Sequence, residues 1–335
     1  MACAAVDPLN GDLYVTMVYS ATPGVEAAPH HPAVDKLTSV DGGLTMSTRT
    51  RILNLAPETQ GQSHQISNIT FGPDGLLYVH VGDGFDAAAA RNLSQFRGKI
   101  LRITRTGAPV ATNPYYNAAD GITARDYIFA SGVRNPFGGC WRQSDASHYI
   151  VENGPSVDRF SKLVSGRDYG YTGSDASMMI FALYNWTPST APVNIAFVQP
   201  ETFGGSGFPA SYSGRAYVAQ SGPTYDIGPG DNRNKAITEW TIDNTGALAS
   251  GPRTIAFYNG GGASTAVAIA AGPDGLYFSD FYKEDSTNNP IARGSNILRL
   301  RYLVPPPPPD CNANGVDDAM DLTSGFSRDC NANGI

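Results

Sequence analysis

The sequence predicts an all-β protein, and within that class a β-propeller followed by a short tail. Its 335 residues include 37 glycines and 24 prolines but only 16% charged residues, which is typical of many turns and short strands rather than long surface helices. With 41% hydrophobic residues, the chain is long enough to bury a sizeable core. A turn-and-strand pattern that recurs along the chain then favours a propeller, in which each copy of the pattern belongs to one blade.

The recurring pattern is a turn of Gly, Pro, Asp or Asn, then an apolar and aromatic pair, then a β-branched or small residue. Its tyrosines are 64, 71, 68 and 60 residues apart. Intervals this regular indicate a repeat architecture, and repeats of one turn-and-strand unit are typical of propeller blades. The five tyrosines are Tyr14, Tyr78, Tyr149, Tyr217 and Tyr277.

Further strands are predicted between the repeats. Residues 99–104, 236–242 and 296–302 alternate between apolar and polar side chains, which is the period of a strand. On this alternation, Lys99 and Arg102 are expected on a solvent face. The alternative fold is a β-sandwich with irregular strands, which would also be rich in glycine; the regular intervals favour the propeller.

The character of the sequence changes at Val304, because residues 305–309 are all proline. Such a run forms a stiff polyproline II spacer of roughly 15 Å. Beyond it, oxygen-bearing residues occupy positions one, three, five, nine and twelve of a loop with glycine at position six, which is the spacing that a calcium loop requires. The predicted calcium ligands are Asp310, Asn312, Asn314 and Asp321, together with Val316 at position seven, which can offer only its backbone carbonyl.

A second copy of this loop begins at Asp329, and the chain ends inside it, so we expect a truncated C-terminus. The two copies resemble the loops of dockerin modules and thrombospondin type 3 repeats, although position twelve is aspartate rather than the glutamate of a typical EF-hand. The alternative is a solvated tail rich in Asn and Asp. The predicted domains are a propeller (1–303), a proline linker (304–309) and a calcium-repeat tail (310–335), which could bind a protein or cell-surface partner.

Charge and cysteine content restrict the partners and the compartment. A net charge of -7 offers no basic surface for nucleic acid or anionic membrane, whereas a small neutral ligand is compatible. No apolar run reaches the roughly 20 residues of a membrane helix. Cys311 and Cys330 share a sequence context that makes a disulfide plausible in an exported protein. We expect a secreted or periplasmic protein whose true start lies upstream, because no signal segment is present.

Six short motifs, taken in their order along the chain, indicate the function. They are His64-Gln65, residues 71–79 with 82–84, 97–103, 131–136, 152–155 and 166–171. Together they resemble the glucose/sorbosone dehydrogenase family of soluble quinoproteins over about residues 5–303. The resemblance implies a six-bladed propeller that binds pyrroloquinoline quinone (PQQ) through calcium. It also implies oxidation of a sugar or polyol hydroxyl by hydride transfer to the quinone.

The resemblance gives the catalytic residues their expected roles. His64 would be the base that takes the hydroxyl proton, since histidine is neutral yet basic near pH 7. Asp83 would orient the imidazole and stabilise its protonated form, although Gly-Asp-Gly is also an ordinary turn. Arg134, with its permanently charged guanidinium, would lie over the quinone oxygen that gains charge.

The remaining site residues would hold the cofactor and its metal. Gln65 and Asn135 are the expected cofactor contacts, together with Arg134. The backbone carbonyls of Gly154 and Pro155 match the segment that holds the family's calcium ion. Carbonyl ligation depends more on the path of the chain than on side chains.

Two departures from the family pattern leave other functions open. Residues 264–271 lack the basic residues expected to bind the carboxylates of PQQ; Arg233 and Lys235 could replace part of that charge, offset by Asp226 and Asp231. The first of the six blades is also expected to be missing or incomplete. The main alternative is a non-catalytic propeller that binds carbohydrate or a protein partner. A calcium-dependent lactone hydrolase would need a cluster of carboxylates that the motifs do not suggest.

Overall fold

The computed structural model describes residues 3–25, 28–56, 58, 63–222, 235–258, 266–280, 296–303, 316 and 318–325. The chain divides into two compact units, Met1–Leu300 and Arg301–Ile335. In the first unit, the described residues form five antiparallel sheets in which each strand pairs with its neighbours in sequence. The prediction of an all-β propeller is therefore confirmed.

Each sheet is one blade, and the strands are numbered in chain order. Blades one and two consist of β1 (Cys3–Val6), β2 (Leu13–Ser20), β3 (His30–Ser39), β4 (Met46–Asn54), β5 (Ile66–Phe71), β6 (Leu77–Val81), β7 (Lys99–Ile103) and β8 (Ile128–Ser131). Blades three to five consist of β9 (Gly138–Arg142), β10 (Ser147–Glu152), β11 (Asp158–Lys162), β12 (Tyr184–Trp186), β13 (Pro192–Val198), β14 (Arg215–Ser221), β15 (Lys235–Ile242), β16 (Leu248–Phe257), β17 (Ala266–Gly272), β18 (Gly275–Asp280) and β19 (Ile297–Leu300).

Helices are few and short among the described residues. The two α-helices are α1 (Asp175–Met178) and α2 (Asp318–Ser324), and the 3-10 turns are Ala89–Arg91, Ala124–Tyr127, Gln143–Asp145, Phe203–Gly205 and Ala210–Tyr212. None of the helices in the described part of the chain is long and apolar enough to cross a membrane.

The repeated tyrosine marks the second strand of every blade. Tyr78 lies in β6, and its hydroxyl donates a hydrogen bond of 3.0 Å to Asp74 in the preceding turn. Tyr149 in β10 makes the equivalent bond of 2.8 Å to Asp145. Tyr277 in β18 bonds Asp274 in the same way, so in three blades the hydroxyl ties the strand to the turn before it. The hydroxyls of Tyr14 and Tyr217 bond instead to the Arg105 carbonyl and to the Glu239 carboxylate.

The core consists of apolar layers between consecutive blades. Leu77 and Tyr78 are adjacent in β6, yet they join different layers because successive side chains of a strand face opposite sides. Leu77 packs in a cluster with Val34 of the first blade, and Tyr78 packs with Ile150 of the third. Five separate sheets stacked in chain order exclude the alternative of a two-sheet sandwich.

The number of blades differs from the family expectation. The described residues form five sheets, and the fifth, β17–β19, has three strands. The prediction of six blades is therefore wrong for this part of the chain. The number of tyrosine repeats, five, equals the number of observed blades, because each blade contains one copy of the repeated hairpin.

Lys99 and Arg102 are not on a solvent face, contrary to the prediction. Lys99 is fully buried, and its ammonium donates hydrogen bonds to the carbonyls of Ala89 (2.8 Å), Ala90 (3.0 Å) and Arg97 (2.7 Å). The side chain of Arg102 is only 13% exposed. The prediction failed because β7 lies in a sheet covered on both faces, so polar residues in it do not mark a solvent face.

Replacing Lys99 by methionine should destabilise the protein in a pH-dependent way. Burial lowers the pKa of Lys99 to about 7, while three donated hydrogen bonds favour the ammonium form. Because the unfolded chain binds this proton up to about pH 10.4, stability supplied by Lys99 rises with pH between about 7 and 10.4. We expect a loss of about 1–3 kcal/mol in the free energy of unfolding at pH 7.

Urea unfolding of wild type and Lys99→Met from pH 7 to pH 10 measures this effect. The difference between the two proteins should grow as the pH rises. Lys162→Met is the control, because this side chain is 27% exposed and its ion pair with Asp145 contributes less than about 1 kcal/mol. A difference that stays constant over this pH range would contradict the assignment.

Only residues 316 and 318–325 of the predicted calcium tail are described. Asp321 lies in α2 and is 1% exposed, and Val316 is exposed. Asp310, Asn312 and Asn314 lie outside the described residues, as do the proline run, Cys311 and Cys330. Calcium binding by the tail stays a prediction. Among the described residues, Cys3 and Cys140 are free thiols.

Candidate active site

The predicted catalytic residues meet at one end of the second blade. His64 lies just before β5, Asp83 just after β6, and Arg134 in the connection from β8 to β9. In an antiparallel meander the start of the first strand, the end of the second and the end of the fourth lie at the same edge. Gly154 follows the end of β10, the corresponding strand of the third blade.

His64 and Asp83 form a buried pair. Nδ1 of His64 lies 2.6 Å from Oδ1 of Asp83, and the two residues are 5% and 1% exposed. Two backbone hydrogen bonds hold them together, from Gly82 N to the Gln65 carbonyl (3.0 Å) and from Gly84 N to the His64 carbonyl (3.2 Å). A side chain at Gly82 would lie 2.3 Å from that His64 oxygen, so this approach requires glycine. The carboxylate thus orients the imidazole.

Arg134 is fixed through its backbone and its guanidinium. Its amide donates to Oε2 of Glu152 (3.1 Å), and its guanidinium donates to the Asn153 carbonyl (2.8 Å) and the Tyr171 hydroxyl (3.1 Å). Its own carbonyl accepts a 2.7 Å hydrogen bond from the amide of Asp83. The predicted cation and the predicted acid–base pair are therefore linked by a direct backbone contact.

A buried ion pair helps to fix the backbone of Arg134. The side chains of Glu152 and Arg159 are fully buried and form a salt bridge. Arg159 also donates to the carbonyls of Tyr169 and Ile180, each at 2.8 Å. Burial raises the pKa of Glu152, while the positive charges of Arg159 and Arg134 act against that rise. Glu152 thus neutralises one arginine and positions the backbone of the other.

The predicted cofactor contacts lie beside these groups. Asn135 is 4% exposed, and its carbonyl accepts hydrogen bonds from the amides of Asn153 (3.1 Å) and Phe137 (2.9 Å). Its side-chain amide makes no hydrogen bond to any described residue. Gln65 is partly buried, and its carbonyl accepts the hydrogen bond from Gly82. The Asn135 side-chain amide, which no described residue bonds, therefore has donors and an acceptor for a ligand.

Asp158 shapes the chain around Gly154. Its carboxylate accepts hydrogen bonds from the amides of Gly154 (3.0 Å), Thr190 (2.7 Å) and Ala191 (2.9 Å). Burial raises the pKa of Asp158 to about 6, and these three amides with the Arg134 charge act in the opposite direction. A side chain at Gly154 would lie 1.9 Å from the Val157 carbonyl oxygen, so the turn requires glycine.

The carbonyl oxygens of Gly154 and Pro155 are available as ligands. Neither accepts a hydrogen bond from another described residue. The described residues contain no cluster of three or more His, Cys, Asp or Glu side chains that could hold a metal ion. A calcium ion at this edge would therefore depend on backbone carbonyls, which suit a hard cation.

Phe85 is a site residue that the sequence analysis missed. Its ring stacks on the imidazole of His64, with centroids 3.8 Å apart and planes inclined by 27°. The residue is nevertheless 65% exposed and has a left-handed φ of +65°, which is unfavourable for a bulky residue. Its amide donates a 3.1 Å hydrogen bond to Oδ1 of Asp83. A large aromatic residue directly after Gly82-Asp83-Gly84 was the signal that could have revealed it.

The basic residues expected to bind the far side of the cofactor are only partly described. Residues 266–271 lie in β17 and carry no charged side chain. Lys235 begins β15, is 1% exposed, and lies 5.3 Å from the ring of Tyr258. It pairs with Ser221 at the end of β14, which is the same edge of its blade as the His64 edge of blade two. Outside the described residues lie Arg233, Asp226 and Asp231.

One family model and several known proteins are similar to this chain. The family model described as glucose/sorbosone dehydrogenase matches residues 8–219. The aldose sugar dehydrogenase YliI of Escherichia coli (strain K12) is 26% identical over 116 residues, covering 34% of this chain and 30% of its own length. The Hedgehog-interacting protein of Mus musculus is 24% identical over 237 residues, covering 64% of this chain and 33% of its own length. The chain thus spans about a third of the length of these curated relatives.

A solved structure agrees with the fold. The PQQ-bound form of an aldose sugar dehydrogenase from Streptomyces coelicolor has a TM-score of 0.62 and 20% sequence identity, over 89% of this chain and 78% of that protein. At this identity the likeness extends to the propeller fold.

Proposed function

This chain belongs to the glucose/sorbosone dehydrogenase family, and we propose that it oxidises a hydroxyl of a sugar or related polyol by hydride transfer to PQQ, with calcium as the second cofactor. The observation that carries the proposal is the 2.6 Å contact between His64 and Asp83 next to Arg134. Oxidation of an alcohol needs a base for the hydroxyl proton and a cation for the oxygen that gains negative charge. One edge of the second blade supplies both.

His64 would take the hydroxyl proton at Nε2. Because the Asp83 carboxylate only accepts hydrogen bonds, the proton of the neutral imidazole lies on Nδ1, and Nε2 is the basic nitrogen. When Nε2 gains the proton, the imidazolium lies against the carboxylate, which stabilises the new charge. The ring of Phe85 covers one face of the imidazole and adds an attractive interaction with the cation.

The polar groups at this edge of the blades fit the cofactors. Arg134, Asn135 and Gln65 would hold the quinone, and the carbonyls of Gly154 and Pro155 would hold calcium. PQQ, when bound, supplies the electron-poor carbonyl carbon that accepts the hydride. Lys235 is the described candidate for the second positive charge that the carboxylates of PQQ require, since β17 offers none. Arg134 contributes a charge that does not depend on pH in the working range.

Binding of PQQ to the full chain, with and without calcium, tests this function. We expect saturable binding that depends on calcium, followed by dye reduction with at least one aldose. Arg134→Lys should weaken PQQ binding, because a lysine cannot reproduce the guanidinium's bonds to Asn153 and Tyr171. Arg253→Lys is the control, since that side chain is 60% exposed. Absence of PQQ binding would overturn the enzyme function.

A non-catalytic propeller is the second candidate function. The uncharged stretch at residues 266–271 favours it, as does the similarity to the Hedgehog-interacting protein over 64% of the chain. If the propeller is non-catalytic, we expect it to bind a carbohydrate or a protein partner without quinone-dependent turnover. The same titrations separate the two functions, because only the enzyme binds PQQ.

The tail would have a structural role in an exported protein. If Asp310, Asn312, Asn314, Val316 and Asp321 bind calcium, the ion would order the C-terminal unit. A chain lacking residues 310–335 should then bind one calcium ion fewer and keep the same PQQ affinity. An unchanged number of calcium ions would remove the tail from the proposal.

Replacing Phe85 by glycine should stabilise the protein and slow the reaction. Glycine relieves the left-handed backbone, which contributes about 1 kcal/mol to the free energy of unfolding. Loss of the ring over the imidazolium should lower kcat by about two- to fivefold, as expected for a lost cation–π interaction of 0.5–1 kcal/mol. Thermal unfolding and dye-linked kinetics measure the two effects.

Phe203→Gly is the matched control for this prediction. Phe203 also has a left-handed φ, of +49°, and is 62% exposed, but it lies in a loop of the fourth blade. It should show the gain in stability without the loss in kcat. Equal kcat values for the two variants would remove Phe85 from the site.

A further inference from the structure

A short segment of the third blade runs beside the fourth strand of the second blade and ends at the candidate active site. Residues 167–171 lie in the connection from β11 to β12. The amide of Tyr169 donates a 2.8 Å hydrogen bond to the Ser131 carbonyl at the end of β8, and the amide of Tyr171 donates one of 3.0 Å to the Gly132 carbonyl. The segment therefore brings Tyr171 to the point where the connection that contains the predicted cation begins.

The ring of Tyr171 is held in place by packing. The residue is 4% exposed and packs in an apolar cluster with Ala90, Val157 and Met178. Its hydroxyl oxygen accepts a 3.1 Å hydrogen bond from Nε of Arg134. Burial raises the pKa of Tyr171 against the opposing charge of Arg134, so the hydroxyl keeps its proton and stays neutral. Because packing fixes the ring, this hydroxyl is a preorganised acceptor.

The hydrogen bonds of Arg134 leave one nitrogen of its guanidinium open. Nε donates to Tyr171, and Nη1 donates to the Asn153 carbonyl at 2.8 Å. Bonds at two nitrogens of a planar group fix its rotation. Nη2 makes no hydrogen bond to a described residue, and this atom is open to solvent rather than buried. A ligand oxygen can therefore reach Nη2.

The positive charge of Arg134 is not neutralised by a described carboxylate. Both hydrogen-bond partners of its guanidinium are neutral, and Arg134 forms no ion pair with a described residue. The nearby carboxylate of Glu152 forms its salt bridge with Arg159 and bonds Arg134 through the backbone amide. Tyr171 thus fixes the direction of the positive charge without reducing it. A preorganised cation of this kind suits a ligand oxygen that gains negative charge.

We propose that Tyr171 is a positioning residue, which directs Nη2 of Arg134 towards a ligand oxygen that carries or gains negative charge. The Asn153 carbonyl supplies the second fixed point of the guanidinium. Tyr171 acts through Arg134 and does not itself touch the reacting atoms. The identity of the ligand as the quinone rests on the proposed oxidation, whereas the orientation of Arg134 does not.

Exchange of the Arg134 Nε proton with water tests the positioning in the full chain without PQQ. Arg134→Lys assigns the NMR signal of this proton by removing it. Loss of the acceptor in Tyr171→Phe should speed the exchange about tenfold or more. Tyr169→Phe is the matched control, because Tyr169 is fully buried in the same segment and its hydroxyl accepts a 3.1 Å hydrogen bond from the Val164 amide instead. Exchange in Tyr171→Phe as slow as in Tyr169→Phe would overturn the proposal.

A double-mutant cycle on PQQ affinity separates positioning from a merely structural role. Tyr171→Phe should weaken PQQ binding about tenfold in the wild-type background. In Arg134→Met, which has no guanidinium to position, the same change should weaken binding by less than about twofold. Tyr169→Phe should leave the PQQ affinity unchanged in both backgrounds. Equal weakening by Tyr171→Phe in the two backgrounds would contradict the assignment. If the wild-type chain binds no PQQ, the proposed function fails and the exchange measurement alone decides the role of Tyr171.

Discussion

Replacing Asp83 by asparagine is expected to lower kcat for sugar oxidation by about 10³-fold or more while the protein stays folded. The amide cannot balance the charge of an imidazolium at His64. It can also present its NH₂ group to Nδ1, which would move the proton to Nε2 and block the basic nitrogen. Dye-linked rates of the PQQ-loaded protein measure the effect.

His64→Ala and the double variant complete this test. Because His64 and Asp83 act as one unit, the double variant should be no slower than His64→Ala alone. Binding of PQQ and calcium should be unchanged in all three variants. Asp86→Asn is the isosteric control three residues on; its side chain is 42% exposed and pairs with Arg97. A kcat near that of wild type in Asp83→Asn would remove Asp83 from the catalytic unit.

Truncation of Glu152 to alanine is expected to lower the free energy of unfolding by about 3–5 kcal/mol, the largest effect on stability that we anticipate. It would leave the fully buried charge of Arg159 without its counter-ion. It would also remove the acceptor of the Arg134 amide. Chemical denaturation of the full chain measures the loss.

Two further variants identify the cause of this loss. Glu152→Met combined with Arg159→Met should recover part of the stability, because removing both charges leaves none unpaired. Arg299→Ala is the control for an exposed ion pair, since Arg299 and Asp274 are 37% and 50% exposed, and should change stability by less than about 1 kcal/mol. If Glu152→Ala and Arg299→Ala have similar effects, the buried pair does not have the role assigned here.

The fold class followed from the sequence because each blade repeats one local unit. In three of the described blades the hairpin is closed by a tyrosine and an aspartate that are close in sequence, such as Tyr78 and Asp74, and this leaves a visible pattern. Exposure was harder to predict. Lys99 lies in a strand whose sequence alternates, yet both faces of its sheet are covered, and only the neighbouring blade and the turn at Ala89 and Ala90 bury it.

The sequence predicted those site residues that belong to recognisable motifs. His64, Asp83 and Arg134 came from motif order, and the structure brings them to one edge of the blade. The supporting groups were not identified, because Glu152 and Tyr171 acquire their function only through contacts with Arg134 across the chain. Phe85 escaped notice because its exposed position, backbone conformation and stacking on His64 are properties of the folded turn.

The hydrogen bond from the Asp83 amide to the Arg134 carbonyl closes a loop of backbone whose two ends carry the carboxylate and the guanidinium of the proposed reaction. A local opening that exposes the Asp83 amide breaks its contact with Arg134, so the carboxylate and the guanidinium lose their fixed relative position in the same event. The exchange rate of that single amide proton with deuterium would therefore report how often this arrangement opens.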